Sequence, residues 1–424
     1  MLLATFLGVS FLSALPAFAQ QEEVLQSFSY AGATGYSPFA NLIFDSAGNL
    51  YGTTYEGGAG CSSPGCGTVF ELSPKAGGGY AERVLHSFRP TRDGENPVGG
   101  LVFDAAGNLY GTTSGGGAYG AGTVFELSPE ASGGWTEKIL HNFNDNGTDG
   151  STPYGTLILD VSGNLYGTTV IGGNGACSHD LTVGCGTVFE LSPGAGGLWT
   201  EKILHNFVSN GVDGLYPNRA LLVDSAGNLY GTTYSGGNRT SCGQGTSCGT
   251  VFELSPKAGG EWTEKILHNF NLNGSDGTNP LCSLIFDGAG NLYGTTWQGG
   301  VYGEGTAFRL SPQPGGGWTE SVLHAFGEGT GGKLPTAGLT MDAAGNLFGT
   351  TNEGGANGNG TVFELTPAAG GTFTESVEFG FPAVAAGGFS PESGLTTDAV
   401  GNLFGTTIAG GTAGDGGTVF EIKR

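Results

Sequence analysis

The heptapeptide Gly-Asn-Leu-(Tyr/Phe)-Gly-Thr-Thr occurs seven times, opening at Gly48, Gly107, Gly163, Gly227, Gly290, Gly345 and Gly401 of a 424-residue chain. Successive copies stand 59, 56, 64, 63, 55 and 56 residues apart, so nearly everything after residue 20 is one unit written seven times. A repeat of this size buries its apolar surface by stacking on its neighbours, either along a line or around a ring.

Each unit carries four short runs of strand character separated by turn residues. In the second copy these are Leu101–Asp104, Leu109–Thr113, Gly122–Leu127 and Trp135–Phe143, lettered A to D. Ala105-Ala106-Gly107-Asn108 turns A into B, and Ser128-Pro129 with Gly133-Gly134 turns C into D. No stretch keeps a helical period, and 85 glycines would make long helices costly. The pattern predicts an all-β fold.

The chain ends separate ring from line. The last copy stops at Gly417-Thr418-Val419-Phe420-Glu421-Ile422-Lys423-Arg424 and lacks a fourth strand. Glu22-Glu23-Val24-Leu25-Gln26-Ser27-Phe28 reads as an orphan fourth strand, by comparison with Glu82-Arg83-Val84-Leu85-His86-Ser87-Phe88. A solenoid would instead require atypical caps. The expectation is a seven-bladed β-propeller of four-stranded antiparallel blades, with strand A innermost and the ring closed by the N-terminal strand completing the last blade. Its blades cover about 38–88, 97–143, 153–207, 217–270, 280–326, 335–381 and 391–424 plus 22–28, within a single domain at 20–424.

Residues 1–19 are apolar and end in Ala17-Phe18-Ala19, which reads as a signal peptide with a small-residue cleavage site. A membrane anchor fits less well, because Pro16 interrupts the run. No later segment is apolar enough to span a membrane. The expected location is secreted, extracellular or periplasmic. A net charge of −23 argues against nucleic acid and anionic membranes as partners. Cys61 and Cys66, Cys177 and Cys185, and Cys242 and Cys248 form close pairs in the B–C loops of copies 1, 3 and 4. In an exported chain these read as three local disulfides rather than metal ligands, leaving Cys282 as a buried thiol.

Repetition supplies several candidate sites. Asp45, Asp104, Asp160, Asp224, Asp287, Asp342 and Asp398 open the A–B turns, where an Asp before Gly-Asn caps the turn through backbone amides. His86, His141, His205, His268 and His324 occupy one place in strand D. On the outermost strand, histidines of neighbouring blades lie about 15 Å or more apart and cannot share an ion, so packing or cross-strand roles are expected. The aromatics opening strand D (Tyr80, Trp135, Trp199, Trp262, Trp318, Phe373) read as register-fixing residues rather than a sugar-stacking ring. Strand C carries Glu71, Glu126, Glu190, Glu253, Glu364 and Glu421, expected to face Lys138, Lys202 and Lys265 of strand D, with Arg309 breaking the series.

The D–A and B–C loops share one face of the disc, and there length and sequence vary. Asn144, Asn146, Asp149, Asp213, Asn273 and Asp276 could hold Ca²⁺, although Asx turns account for them equally well. Tyr55, Tyr119, Tyr154, Tyr216, Tyr234 and Trp297 lie in or beside the same loops and suit a carbohydrate or protein ligand. Strand A begins with Asn41, Gly100, Thr156, Ala220, Ser283, Gly338 and Gly394, small residues that give a hub no catalytic set. Nucleophile, zinc-helix and phosphate-loop motifs are missing, and no cofactor other than Ca²⁺ is suggested.

Gly-Asn-Leu-Tyr-Gly-Thr-Thr, then Gly-Gly, then Gly-Thr-Val-Phe-Glu-Leu-Ser-Pro, resembles the GloVer tandem repeat of bacterial "choice-of-anchor" surface proteins, over residues 22 to 424. The resemblance implies an exported repeat protein of undetermined activity and supplies no catalytic residues. Such proteins often end in an anchoring segment. The sequence as given ends at Arg424 within a strand, which favours free secretion. The resulting expectation is a non-catalytic binding propeller using the D–A and B–C face. The alternative is an extracellular hydrolase or lyase acting on glycans or lactones in the same mouth.

Overall fold

Seven antiparallel sheets run A-B-C-D in a computed structural model that describes residues 21–30, 33–61, 64–175, 177, 184–238, 242, 248–383 and 387–424. The proposed signal peptide at 1–19 lies outside the described residues. The second blade pairs Val102–Phe103, Leu109–Thr113, Thr123–Pro129 and Trp135–Asn142 in that order. The seventh blade pairs Thr396–Thr397, Leu403–Gly410 and Asp415–Ile422, and its fourth strand is Glu22–Ser29. The register runs antiparallel from Glu22 opposite Ile422 to Ser29 opposite Asp415. The N-terminal strand therefore closes the ring.

The repeated residues are those the packing requires. In strand B of the second blade, a Cβ on Gly111 would stand 2.6 Å from Phe125 Cζ, so only glycine lets the strand C phenylalanine lie across it. The second threonine of each Gly-Thr-Thr pairs its hydroxyl with the threonine opening strand C, as in Thr113 with Thr123 at 2.8 Å. This places two buried hydroxyls where each satisfies the other. In six blades the first threonine donates to a carbonyl of the next blade, as Thr232 does to Cys282 (2.9 Å) and Thr295 to Ala337 (2.8 Å), whereas the Thr112 hydroxyl is buried without a partner.

Blades join through a second repeated contact. The phenylalanine ending strand D packs on the strand C phenylalanine of the following blade: Phe88 on Phe125 (5.1 Å between centroids), Phe143 on Phe189 (5.1 Å) and Phe326 on Phe363 (4.9 Å). Phe28 on Phe70 (5.2 Å) and Phe381 on Phe420 (5.3 Å) carry the same contact through the closing blade. The strand D aromatics also fix the junction, Trp199 lying 6.3 Å from Tyr110 and Trp262 6.5 Å from Tyr166 of the preceding blade.

Two features differ from the expected layout. Strand A is only two residues long in every blade. The D–A segments are not free loops. Each pairs with the chain leaving strand B, as in Gly277–Thr278 with Gln298–Gly299, Gly332–Lys333 with Glu353–Gly354, and Glu95 with Gly115.

Candidate functional site

Those paired D–A segments deliver side chains from six blades to the axis. Each ends in a left-handed residue followed by proline: Ser37, Asn96, Thr152, Tyr216, Asn279, Leu334 and Ser390, with φ between 53° and 61°. Glycine normally takes such a conformation, and the residue before proline disfavours it further. It persists because the amide is clamped to the preceding blade. Asn96 N–H donates to Cys66 O (2.8 Å), Leu334 to Glu304 O (2.8 Å) and, across the closure, Ser37 to Gly416 O (2.7 Å). The carbonyls face the other way and accept from the following blade, as from Ser114 N–H to Asn96 O (3.0 Å).

In six of the seven blades the residue after the proline lines the mouth of the central channel. Phe39, Val98, Tyr154, Asn218, Leu281 and Glu392, together with Tyr55 and Arg219, line a cavity of about 350 Å³. Below it the channel narrows between Gly99, Gly100, Gly155, Ala220, Ala337 and Gly338. The small hub residues read from the sequence thus line the narrower part of the channel, and the larger side chains line its mouth.

Arg219 reaches across this mouth, its Nη2 donating to Thr336 O at 2.9 Å, while its Nε is shut from solvent without a partner. Burial works against its charge, and Glu392 supports it. Burial likewise pushes the Glu392 carboxyl above the usual carboxylate range, with Arg219 pulling it partly back. Asn352 Nδ2 donates to Glu392 Oε1 at 3.2 Å. Tyr55 is raised by burial and then by the neighbouring Tyr154, Glu56 and Glu95. The mouth therefore combines aromatic walls with one guanidinium and one carboxyl whose pKa burial raises.

The six aromatics expected to bind ligand are not all brought together. Tyr55 and Tyr154 line the mouth. Tyr234 and Trp297 form a separate pair at 6.5 Å. Tyr216 is one of the left-handed residues and packs partly against the core around Leu215 and Leu221. Tyr119 is 63% exposed in the B–C loop of the second blade. Reading the sequence missed Arg219 and Glu392. The available signal was the position after Pro38, Pro97, Pro153, Pro217, Pro280, Pro335 and Pro391, which differs in all seven copies of an otherwise repetitive unit.

Five of the six Ca²⁺ candidates turn one side-chain oxygen to backbone N–H donors, while Asp213 and Asp276 leave Oδ1 unpartnered. Asn146 Oδ1 accepts from Thr148 and Asp149 amides at 3.0 Å each, and Asp149 Oδ2 accepts from the Asn144 amide at 3.0 Å. Asp213 Oδ2 takes the Val208 amide (2.9 Å), Asn273 Oδ1 takes the Ser275 and Asp276 amides (2.9 Å each), and Asp276 Oδ2 takes the Asn271 amide (3.1 Å). These are the oxygen contacts of Asx turns. The A–B turn aspartates behave in the same way. Burial opposes the charge of Asp104, but hydrogen bonds from Asn108, Tyr110 and Ala106 outweigh it and hold its pKa below the ordinary value.

Strand D histidines do more than pack. Each of His86, His141, His205 and His268 meets an Asp of the D–A segment and a Glu of the next blade's strand D. Glu126, Glu190 and Glu253 stand opposite Lys138, Lys202 and Lys265 in register. The Lys138 ammonium lies 3.9 Å from Glu126, whereas Lys202 and Lys265 donate to Gly260 O and Gly316 O of the next blade. Disulfides join Cys61–Cys66, Cys177–Cys185 and Cys242–Cys248, and Cys282 is a buried thiol.

Among solved structures the chain is similar to a "putative 6-phosphogluconolactonase" from Bacteroides uniformis, at 12% identity and a TM-score of 0.49, covering 83% of this chain and 86% of that one. It is also similar to an unknown function protein from Dyadobacter fermentans, at 11% identity and a TM-score of 0.39, covering 84% and 98%. Neither likeness bears on chemistry at this level. No curated protein matches the chain. The model of the Gloeobacter/Verrucomicrobia repeat matches residues 13–244 and again 239–424, and the chain belongs to that repeat family.

Proposed function

We propose that the protein is an exported, non-catalytic binding propeller that takes a carbohydrate at the mouth of its central channel. The observation that carries this reading is the ring of post-proline residues. Six of the seven copies each present a different side chain to one cavity of about 350 Å³. Phe39, Tyr55 and Tyr154 offer faces on which a sugar ring can stack, while Asn218, Arg219 and Glu392 offer hydrogen bonds to hydroxyl or carboxylate groups. Export is supported by the apolar leader ending Ala17-Phe18-Ala19 and by three disulfides. Among the described residues, no helix is long and apolar enough to cross a membrane.

A glycan array on purified protein, with and without a calcium chelator, tests the reading. The expected result is a bound glycan whose affinity falls about tenfold or more in Tyr154→Ala, the loss of one good aromatic contact. Equal binding by that variant would remove the mouth from consideration. One observation favours a second reading: the raised Glu392 carboxyl beside Arg219 resembles a general acid. Turnover of a glycan or lactone, abolished in Glu392→Gln, would establish the hydrolase or lyase reading instead.

A further inference from the structure

Each blade junction brings together three elements: strand D of one blade, the D–A segment that follows it, and strand D of the next blade. Four junctions assemble His86 with Asp93 and Glu137, His141 with Asp149 and Glu201, His205 with Asp213 and Glu264, and His268 with Asp276 and Glu320. Within each set, one nitrogen and two carboxylate oxygens lie within 4.8 Å of one another. His141 Nε2 is 3.2 Å from Asp149 Oδ2 and 3.7 Å from Glu201 Oε1. His205 Nε2 is 3.3 Å from Asp213 Oδ2 and 3.7 Å from Glu264 Oε1. Ligands on a tetrahedral ion with bonds of about 2.0–2.2 Å stand about 3.3–3.6 Å apart. The sets are nearly of that size without any ion.

A second observation points to a missing partner. Glu137, Glu201, Glu264 and Glu320 each hold Oε1 shut from solvent with no hydrogen-bond donor. Asp213 and Asp276, whose side chains are only 4% and 3% exposed, each leave Oδ1 unpartnered as well. Buried carboxylates without donors are costly and call for a cation or a proton. The other three junctions serve as internal comparisons. Gly331 replaces the aspartate at one, and there Glu375 accepts from Gly332 N–H at 3.1 Å. Phe379 replaces the histidine at another, and Glu22 accepts from Gly388 N–H at 3.3 Å. Gln26 replaces the histidine at the closure and donates to Glu82 Oε2 at 2.6 Å. Glu82 Oε1 is left without a donor, as in the complete sets, but its Oε2 has one. At each incomplete junction the glutamate thus has a donor on one oxygen, and in the four complete sets none of the described hydrogen bonds reaches it.

We propose that the four complete junctions are binding sites for a divalent transition ion of the zinc class, each held by one imidazole and two carboxylates. A ligand set of one nitrogen and two oxygens suits Zn²⁺ better than Ca²⁺, which prefers an all-oxygen shell of higher number. The imidazole edge is partly open, with His141 and His205 side chains 20% exposed, so an ion can enter and keep a water in the fourth position. The imidazole gives up its Nε2 proton on binding. Bound ions would tie each blade to the next at the rim of the disc.

The test is Zn²⁺ binding to the untagged protein, stripped with chelator, dialysed against micromolar Zn²⁺ and measured by metal analysis and calorimetry. Wild type is expected to hold about four equivalents, and His141→Gln with His205→Gln about two fewer. The native Gln26 shows that glutamine fits opposite this glutamate, so the variant should fold. If it does not, Glu201→Gln with Glu264→Gln takes its place. His324→Gln, at a junction without the aspartate, should cost no equivalents. Wild type binding one equivalent or none, or the double variant binding as many as wild type, would show instead that protons satisfy these carboxylates.

Discussion

Gly111 and Gly122 show how closely the repeated letters are tied to contacts. A Cβ on Gly111 would stand 2.6 Å from Phe125 Cζ. Gly111→Ala is therefore expected to destabilise the fold by about 2–4 kcal/mol through overpacking, read from urea unfolding. Gly107→Ala meets open space and bears only the cost of a positive φ, about 1 kcal/mol. Gly122 is needed for another reason: its Cα lies under Pro153 of the next blade, with a Cβ 2.7 Å from the proline Cδ. The left-handed residues give a prediction of opposite sign. Asn96 and Asn279 add a side-chain bond to Tyr55 O (2.9 Å) and Tyr234 O (3.1 Å), and Leu334 at the same place has none. Leu334→Asn should stabilise by about 0.5–1 kcal/mol, seen as a higher unfolding midpoint. The motifs announced themselves in the sequence by recurring. Their reasons did not, since Gly122 meets a proline 31 positions away only once the blades are stacked.

Strand D shows where reading by element succeeds and where it stops. Its place on the outermost strand and its opening aromatic were legible from periodicity, but the contacts that the aromatic and the closing Phe make with neighbouring blades were not. The His–Asp–Glu groupings were not, because their members come from two blades and a segment expected to be loop. Glu82 at the closing junction offers a pH test apart from those groupings. Burial raises its pKa from 4.5 to about 7. A carboxyl whose folded pKa lies above its unfolded value stabilises fully below pH 4.5 and loses that contribution as pH rises toward 7. Glu82→Gln, neutral throughout, should gain on wild type over that interval by about 1 kcal/mol after solvent screening, seen in melts from pH 4 to 8. Equal pH profiles would refute the assignment. The short disulfide loops give a simpler check. Alkylation of unfolded, unreduced protein followed by mass spectrometry should label Cys282 alone.

The ring as a whole was the most legible level, because counting strands from the two ends predicted which segment completes which sheet. The mouth was the least legible. Its side chains stand two residues before the small strand A positions of the hub, and a left-handed residue before proline precedes each of them. Closure underlies every position assigned to rim, junction or mouth. It brings the Lys423 ammonium onto the Glu23 carboxylate, 400 residues apart in sequence. Zero-length carbodiimide coupling of the native protein, with peptide mapping, measures that contact without any substitution. The account predicts an intramolecular Glu23–Lys423 crosslink. Its absence, or its formation only between molecules in an isotope-mixing experiment, would contradict the closed ring.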